Sequence, residues 1–224
     1  MDYKNYILPR IGTPDNPLKL GVLISGSGSG MEALINYQNQ KKNCFHETTL
    51  VLSNKKNAKG VERAKEKKIL TKVIELPNEG TKEEKRTSHE KLIQVELEKN
   101  NVEVIVLSGY MRILSSNFVK KWMGRLLNIH PSLLPNFPGA HAHQDVLMAG
   151  VDESGCTVHF VDMGVDSGLI IAQKKVQVYP SDKLEDLQNR IKVHEHKIYP
   201  EVIDALSEGR IQINSLGKVI IHNL

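Results

Sequence analysis

Short apolar runs recur along the first half of the chain and are separated by more polar segments. The runs LKLGVLIS (18–25), TLVLS (49–53), TKVIEL (71–76) and VEVIVLSG (102–109) have the length and composition of β-strands. The last run is nearly all apolar, as expected of a strand that is covered on both faces. These segments therefore predict the strands of a buried sheet.

Helices are predicted between these strands. The glycine-rich segment GSGSG (26–30) leads into a helix near Met31, a basic helix is expected around Ala58–Lys67, and Thr81-x-x-Glu84 is a capping box that opens the next helix. Strands alternating with helices predict an α/β fold with a Rossmann-like, doubly wound and mostly parallel sheet. Such sheets bind ligands at the carboxyl ends of their strands.

The pattern changes at about residue 155. CTVHFVD (156–162) and LIIAQKKVQV (169–178) are strand-like with little helix between them, so the sheet is predicted to become mixed in the C-terminal part. A long helix is expected from about Lys183 to Leu206 and ends before Gly209, and residues 213–224 predict a terminal hairpin. Residues 1–17 are rich in proline and predict an irregular leader, which leaves 18–224 as a single domain.

Composition excludes several classes of protein. The net charge of +4 is spread over 30 basic and 26 acidic side chains, too dilute a bias to require nucleic acid. The N-terminus lacks the apolar run of a signal peptide, and no stretch reaches the ~18 apolar residues of a membrane span, so a cytoplasmic protein is expected. Cys44 and Cys156 have no CxxC spacing, so neither a disulfide framework nor a zinc cluster is predicted from them.

The segment GSGSG is a candidate phosphate site. It would place backbone N–H groups at the start of a helix, where the helix dipole favours an anion. The segment is neither GxGxxG nor GxxxxGK[ST], and Ser53-Asn54 supplies no acidic residue for a ribose, which disfavours a nicotinamide dinucleotide. A plain tight turn is the alternative interpretation.

Asn128, His130 and Asp166 form the candidate catalytic set. Residues two apart on a strand project from the same face, so Asn128 and His130 are expected to reach one pocket. An amide can donate to a developing oxyanion, and imidazole is suited to proton transfer near neutral pH. Asp166, in the turn MGVDSG (163–168), could orient the imidazole and stabilise its charged form, although an Asx turn is the simpler alternative.

Other clusters are given structural interpretations. His141-x-His143 with Asp145 has the composition of a metal site but no evident second shell, and His194 and His196 lie on different faces of a helix. The lysine-rich segment 55–68 lacks the aromatic residues that stack on single-stranded nucleic acid and is interpreted as a solvated face. No catalytic metal is predicted.

Four segments together resemble the phosphoribosylglycinamide formyltransferases of purine synthesis: NIHPSLLP (128–135), TVHFV to GVDSG (157–168), SGYMRIL (108–114) and HEHKIYP (194–200). The resemblance extends from about residue 19 to 213. It implies transfer of a formyl group from 10-formyltetrahydrofolate to the amine of glycinamide ribonucleotide, on a Rossmann-like fold and without a metal.

The resemblance also implies site residues by position. The catalytic trio of the family is matched by Asn128, His130 and Asp166. The positions that bind glycinamide ribonucleotide are matched by Gly28, Ser29, Gly30 and Glu195. The folate positions are matched by Arg86, Met111, Arg112, Ile113, Leu114 and the loop from Asp162 to Asp166. The partners implied are small molecules, with no nucleic acid and no membrane, and the protein is expected to be a monomer or homodimer.

Departures from the family pattern leave alternatives open. The family usually has GNGSN where this chain has GSGSG, and Met163 and Leu169 replace a glutamate and a proline. Methionyl-tRNA formyltransferases share the motif but continue with Arg-Gly-Ala and add a C-terminal domain, whereas formyltetrahydrofolate hydrolases have His-His-Ser at 128–130. A non-catalytic phosphate- or folate-binding module is the alternative of a different class.

Overall fold

The computed structural model describes residues 5–222, and strands and helices alternate through most of this range. The strands are β1 (Leu18–Ile24), β2 (His46–Ser53), β3 (Leu70–Val73), β4 (Val104–Leu107), β5 (Leu126–His130), β6 (Glu153–Phe160), β7 (Ile170–Gln177), β8 (Ile211–Ile213) and β9 (Val219–Ile221). The helices are α1 (Ser29–Gln40), α2 (Lys59–Glu66), α3 (Lys82–Lys99), α4 (Ser116–Trp122), α5 (Ala142–Ala149) and α6 (Leu184–Ser207).

Seven strands form one sheet in the order β3-β2-β1-β4-β5-β6-β7. Strands β1 to β5 are parallel to one another, whereas β6 and β7 are antiparallel to their neighbours. The predicted mixed α/β sheet is thus confirmed. The chain runs outward from β1 to β3 and then returns to place β4 on the other side of β1, so the direction of winding changes between β1 and β4.

The sheet is buried on both faces. Leu20, Val22 and Ile24 of β1 lie in one apolar cluster with residues of α1 and α6, while Leu23 lies in a second cluster with residues of α3 and α4. Successive side chains of a strand point to opposite faces. Apolar residues at consecutive positions of β1 are therefore the signature of a central strand with helices on both sides.

Several boundaries differ from the expectations. Strand β3 ends at Val73, because Ile74 to Leu76 leave the sheet after one backbone bond from Ile74 N–H to Ser53 O. Helices α4 and α5 have no counterpart in the sequence analysis, since seven or eight residues are too few to give a clear helical period. The capping box of α3 is present, with Thr81 and Glu84 each accepting a backbone N–H.

Residues 5–17 lie along the domain with little regular structure. The backbone N–H of Ile7 donates to Met123 O and that of Gly12 donates to Ser207 O. The guanidinium of Arg10 donates twice to the carboxylate of Glu103. This segment therefore connects the ends of α4 and α6 across the core.

Helix α6 contains Pro200 and packs against the centre of the sheet through Tyr199. The buried Tyr199 hydroxyl lies 3.1 Å from Leu107 O and 3.0 Å from Leu127 O, so it joins α6 to β4 and β5. Among the described helices, none combines the length and the apolar character that crossing a membrane would need.

Candidate active site

The carboxyl ends of β1, β4 and β5 surround the candidate active site. Ser25, just after β1, donates its N–H to Gly109 O, and its hydroxyl accepts the N–H of Met111. The loops after β1 and β4 are thereby fixed to each other at the point where the winding direction changes. In doubly wound sheets this is the position of the ligand cleft.

The glycine loop packs closely against its neighbours, against backbone at Gly28 and against a side chain at Gly30. Gly28 is the N-cap of α1 and has φ of 69°, in the left-handed region. A Cβ at Gly28 would lie 2.6 Å from Gly60 Cα, and one at Gly30 would lie 2.7 Å from Ser108 Oγ. Glycine at both positions lets the start of α1 sit directly against the neighbouring loops.

A cavity of about 400 Å³ opens onto this loop and onto the middle of α6. Besides the loop, it is lined by two lysines, Lys55 and Lys192, and by Glu195 and two histidines. The helix N-terminus and the lysines make its wall favourable for an anion. Burial raises the pKa of the Glu195 carboxyl to about 7, against the opposing effect of Lys192.

Asn128 of β5 faces a second, smaller cavity of about 110 Å³. Its amide Nδ2 lies 3.2 Å from Nε2 of His159, its cross-strand neighbour on β6. His159 Nδ1 faces Phe160 O at 2.9 Å, so Nδ1 carries the proton and Nε2 accepts from Asn128. Burial lowers the pKa of His159, which favours this neutral form. One N–H of the Asn128 amide thus donates to His159, and the second N–H is left for a ligand.

His130 and Asp166 are in contact. His130 Nδ1 lies 3.3 Å from Asp166 Oδ2, and Nε2 lies 2.8 Å from the carbonyl of Phe137. Both ring nitrogens therefore face acceptors, an arrangement that suits the doubly protonated imidazolium. Asp166 also accepts the N–H of Gly139 at 2.8 Å and has φ of 51°. Its carboxylate lines the smaller cavity, with the buried His130 behind it.

The positions assigned to folate lie on both sides of one short segment. Arg112, Ile113, Leu114 and Asp162 line the smaller cavity together with Asn128. Arg86 lies in an adjoining groove of about 680 Å³, which Arg112 and Ile113 also line. Met111 lines this groove and the larger cavity. Residues 111–114 are therefore the common wall of all three openings.

The structure separates the histidine clusters set aside in the sequence analysis. His143 lines the larger cavity, and His196 reaches it with Nε2 at 3.2 Å from Ser29 Oγ. Within residues 5–222, Cys44, His46 and Asp204 form the one group of three or more that could hold a metal ion, so His141, His143 and Asp145 do not converge. Lys55, which the sequence analysis placed on a solvated face, lines the larger cavity.

Besides Lys192 of the larger cavity, sequence reasoning missed His159 near the site. It lies in the motif TVHFV, but its neighbours are set by the antiparallel register of β6 on β5, which pairs it with Asn128. His159 Nε2 is also 3.7 Å from Asp166 Oδ1. The strand-like pattern of residues 156–162 was a usable signal for the strand, but it carried no information on the register.

A protein-family model described as "Formyl transferase" matches residues 18–203. Phosphoribosylglycinamide formyltransferase of Escherichia coli is 40% identical over 198 residues, which are 88% of this chain and 91% of that protein. The trifunctional purine biosynthetic protein adenosine-3 of Gallus gallus is 46% identical over 204 residues, 91% of this chain. The chain spans about a fifth of the length of that trifunctional relative.

Solved structures show the same similarity. The crystal structure of glycinamide ribonucleotide transformylase 1 from Symbiobacterium toebii matches with a TM-score of 0.86 and 37% identity, over 92% of this chain and 95% of that one. Phosphoribosylglycinamide formyltransferase from Anaplasma phagocytophilum matches with a TM-score of 0.84 and 34% identity, over 93% and 96% of the two chains.

Proposed function

Because the chain belongs to the formyl transferase family, we propose that it transfers a formyl group from 10-formyltetrahydrofolate to the amine of glycinamide ribonucleotide. The products are formylglycinamide ribonucleotide and tetrahydrofolate, in purine biosynthesis. The observation that carries this proposal is the position of β5. Asn128 faces one cavity and the adjacent Ile129 faces the other, so a single strand end can present catalytic groups between two ligands.

Glycinamide ribonucleotide is assigned to the larger cavity. Gly28, Ser29 and Gly30 place the N-terminus of α1 against it, where backbone N–H groups can bind the phosphate. Lys55 and Lys192 add positive charge on the same wall. Glu195 is assigned to the ribose hydroxyls, which can donate to its carboxylate.

10-Formyltetrahydrofolate is assigned to the smaller cavity and the adjoining groove. Ile113 and Leu114 provide an apolar wall for the flat ring system, and the loop from Asp162 to Asp166 closes the other side. Arg86 and Arg112 line the outer groove, where basic groups suit the acidic tail of a folate.

The proposed chemistry is direct attack of the substrate amine on the formyl carbon. A new C–N bond forms, the carbonyl oxygen becomes an oxyanion, and the tetrahedral intermediate then loses the folate nitrogen. The second N–H of the Asn128 amide donates to the oxyanion, and the charge of the nearby His130 imidazolium stabilises it further. One such donor contributes about 10²–10³ in rate. His159 is assigned as a positioning residue because it holds the amide by its other N–H.

A proton must pass from the attacking amine to the leaving folate nitrogen. Asp166 lines the smaller cavity, whereas both nitrogens of His130 contact protein acceptors. This favours transfer through a water molecule bound by the Asp166 carboxylate, with the His130 imidazolium stabilising the charge of that carboxylate. No step is assigned to a metal.

The direct test is an assay with purified protein, both cosubstrates and detection of tetrahydrofolate by absorbance. We expect turnover only when glycinamide ribonucleotide and 10-formyltetrahydrofolate are both present. Release of formate without the amine would identify a hydrolase instead, and formylation of methionyl-tRNA in place of the ribonucleotide would identify the related tRNA enzyme. Binding of both ligands without turnover would identify a non-catalytic module.

The same proposal covers the cellular setting. We place the enzyme in the cytoplasm, acting on small molecules without a nucleic acid or membrane partner, as a monomer or homodimer. The modest net charge supports small-molecule substrates over a nucleic acid. Residues 18–224 are proposed to be a single formyltransferase domain preceded by the 17-residue leader.

A further inference from the structure

Cys44, His46 and Asp204 meet at the opposite end of the sheet from the candidate active site. His46 is the first residue of β2 and pairs with Leu18, the first residue of β1, so the cluster lies at the amino ends of the parallel strands. Cys44 precedes β2, and Asp204 comes from the last turns of α6. One donor atom from each side chain lies within 4.8 Å of the other two.

Two of these donor atoms are buried without a hydrogen-bond partner. They are His46 Nε2 and Asp204 Oδ1, which face each other at 3.6 Å. The His46 side chain is 0% exposed and that of Asp204 is 5% exposed. At 3.6 Å the two atoms are too far apart for a hydrogen bond, and with His46 neutral neither has a partner, which is unfavourable for a buried polar atom. A ligand that both atoms can bind would remove this penalty.

We propose that Cys44, His46 and Asp204 bind a zinc ion. Sulfur, imidazole nitrogen and carboxylate oxygen are the three donor types that zinc takes in proteins. Zn–N and Zn–O bonds of about 2.0–2.2 Å at tetrahedral angles place nitrogen and oxygen about 3.3–3.5 Å apart, close to the 3.6 Å between His46 and Asp204. The Cys44 side chain is half-buried, which leaves the fourth position to a water molecule.

The surroundings of the cluster orient these donors. Lys41 and Arg210 contact Oδ2 of Asp204, so Oδ1 is the oxygen that faces His46. Glu208 also pairs with both cations, which balances the charge of these four groups. These four side chains together carry no net charge. A zinc ion bound to a Cys44 thiolate would therefore leave the cluster with one net positive charge, at a position that is partly exposed to solvent.

Two local changes accompany binding. The Cys44 thiol now donates to the carbonyl of His46 at 3.2 Å, and loss of its proton frees the sulfur to turn toward the ion. Gln38 lies 2.9 Å from His46 Nδ1 and holds the ring on that side. A 180° turn of this amide would let its oxygen accept from Nδ1–H, the contact that orients a metal-bound histidine, with loss of the 3.3 Å contact that its oxygen now accepts from Thr48 N–H.

The bound ion would connect the turn between α1 and β2 to the end of α6. Its role is therefore structural and separate from formyl transfer. The spacing of the two cysteines predicted no zinc cluster. The proposal revises that prediction for Cys44, because Asp204 lies 158 residues beyond His46 and the spacing of the cysteines gave no sign of it. Cys156, fully buried in the core, is the matched control.

The experiment titrates the metal-free full-length protein with Co²⁺ and records thiolate-to-cobalt charge-transfer absorbance. We expect saturation at one equivalent, displacement by Zn²⁺, loss of the band in Cys44→Ser and its retention in Cys156→Ala. His46→Gln should bind at least tenfold more weakly. Each variant is first shown to be folded by circular dichroism in EDTA.

Thermal unfolding provides a second measurement. Zinc at a hundred times its Kd should raise the Tm of the wild type by roughly 5–10 °C and leave that of Cys44→Ser unchanged. EDTA should lower the Tm of the zinc-loaded protein without changing kcat at a temperature well below the Tm. Absence of the cobalt band, or an equal band in Cys44→Ser, would overturn the proposal and leave the proposed formyl transfer unaffected.

Discussion

Replacement of Asn128 by alanine tests the oxyanion assignment. The change removes the N–H assigned to the intermediate, so we expect kcat to fall about 10²–10³-fold, equivalent to about 2.7–4 kcal/mol of transition-state stabilisation. The oxyanion forms only during the reaction, so KM for both cosubstrates should change little. Steady-state assays that follow tetrahydrofolate formation measure both quantities.

The same change has a second cost that the structure makes explicit. Without the amide, His159 Nε2 loses its 3.2 Å contact and is left buried without a donor, which costs about 1–3 kcal/mol of stability. For a chain of this length the Tm should fall by roughly 2–12 °C. Assays are therefore run well below the Tm of the variant, so that lost activity reports on catalysis and not on unfolding.

Two further variants sharpen the result. Asn128→Asp keeps the size of the side chain but replaces a donor with a negative charge, so its kcat should be lower than that of Asn128→Ala. Asn136→Ala changes an exposed asparagine of the adjacent loop and should leave kcat unaltered. If Asn128→Ala retained normal kcat with a raised KM, Asn128 would be a binding residue and the oxyanion assignment would be wrong.

Three other predictions concern the phosphate loop, the proton path and stability. Gly28→Val should greatly weaken calorimetric binding of glycinamide ribonucleotide but not of a folate analogue, because a Cβ there disturbs the N-terminus of α1. Asp166→Asn should keep its left-handed backbone, which asparagine tolerates, and lower kcat by about 10²-fold or more, with an altered pH–rate profile. Burial lowers the pKa of His89 and His159, so the unfolded chain binds their protons first as the pH falls below about 6.5. His143 and His196, whose pKa values are also lowered by burial, act in the same direction, and each such group destabilises the fold by up to about 1.4 kcal/mol per pH unit. His46 and Glu195, whose pKa values are raised, oppose these four groups, and the Tm should be lower at pH 5.5 than at pH 7.5.

Each of these measurements has its own control. Gly150→Ala introduces a Cβ at another left-handed glycine, into open space and away from both cavities, and should leave ribonucleotide binding intact. Equal loss of both ligands in Gly28→Val would indicate general damage, and unaltered ribonucleotide binding would make the loop a plain turn. An unchanged pH–rate profile in Asp166→Asn would remove Asp166 from the mechanism, and an equal Tm at both pH values would contradict the stability argument.

Local patterns in the sequence were sufficient for most of the fold. The capping box at Thr81 predicted the start of α3, and the apolar runs predicted β1, β2 and β4, because helix caps and strand burial depend on nearby residues. The change to a mixed sheet was visible in the lack of a helical segment between the two strand-like runs that follow residue 155. The short helices α4 and α5 were missed because their formation depends on packing against the rest of the chain.

Contacts between distant segments set the limit of prediction for the candidate site. The two-residue spacing placed Asn128 and His130 on the same face of a strand, but it did not show that His130 would lie behind Asp166 and outside the smaller cavity. The role of His159 depends on strand register, which no local pattern specifies. The cluster around Cys44 depends in the same way on a residue from α6.

The two cavities on either side of β5 have a kinetic consequence. Their linings share no residue, and they approach each other where adjacent residues face opposite cavities, as Asn128 and Ile129 do. Each cosubstrate could then enter and leave without crossing the position of the other. Such an enzyme would add its substrates in random order, and a high concentration of one would not trap the other on the protein.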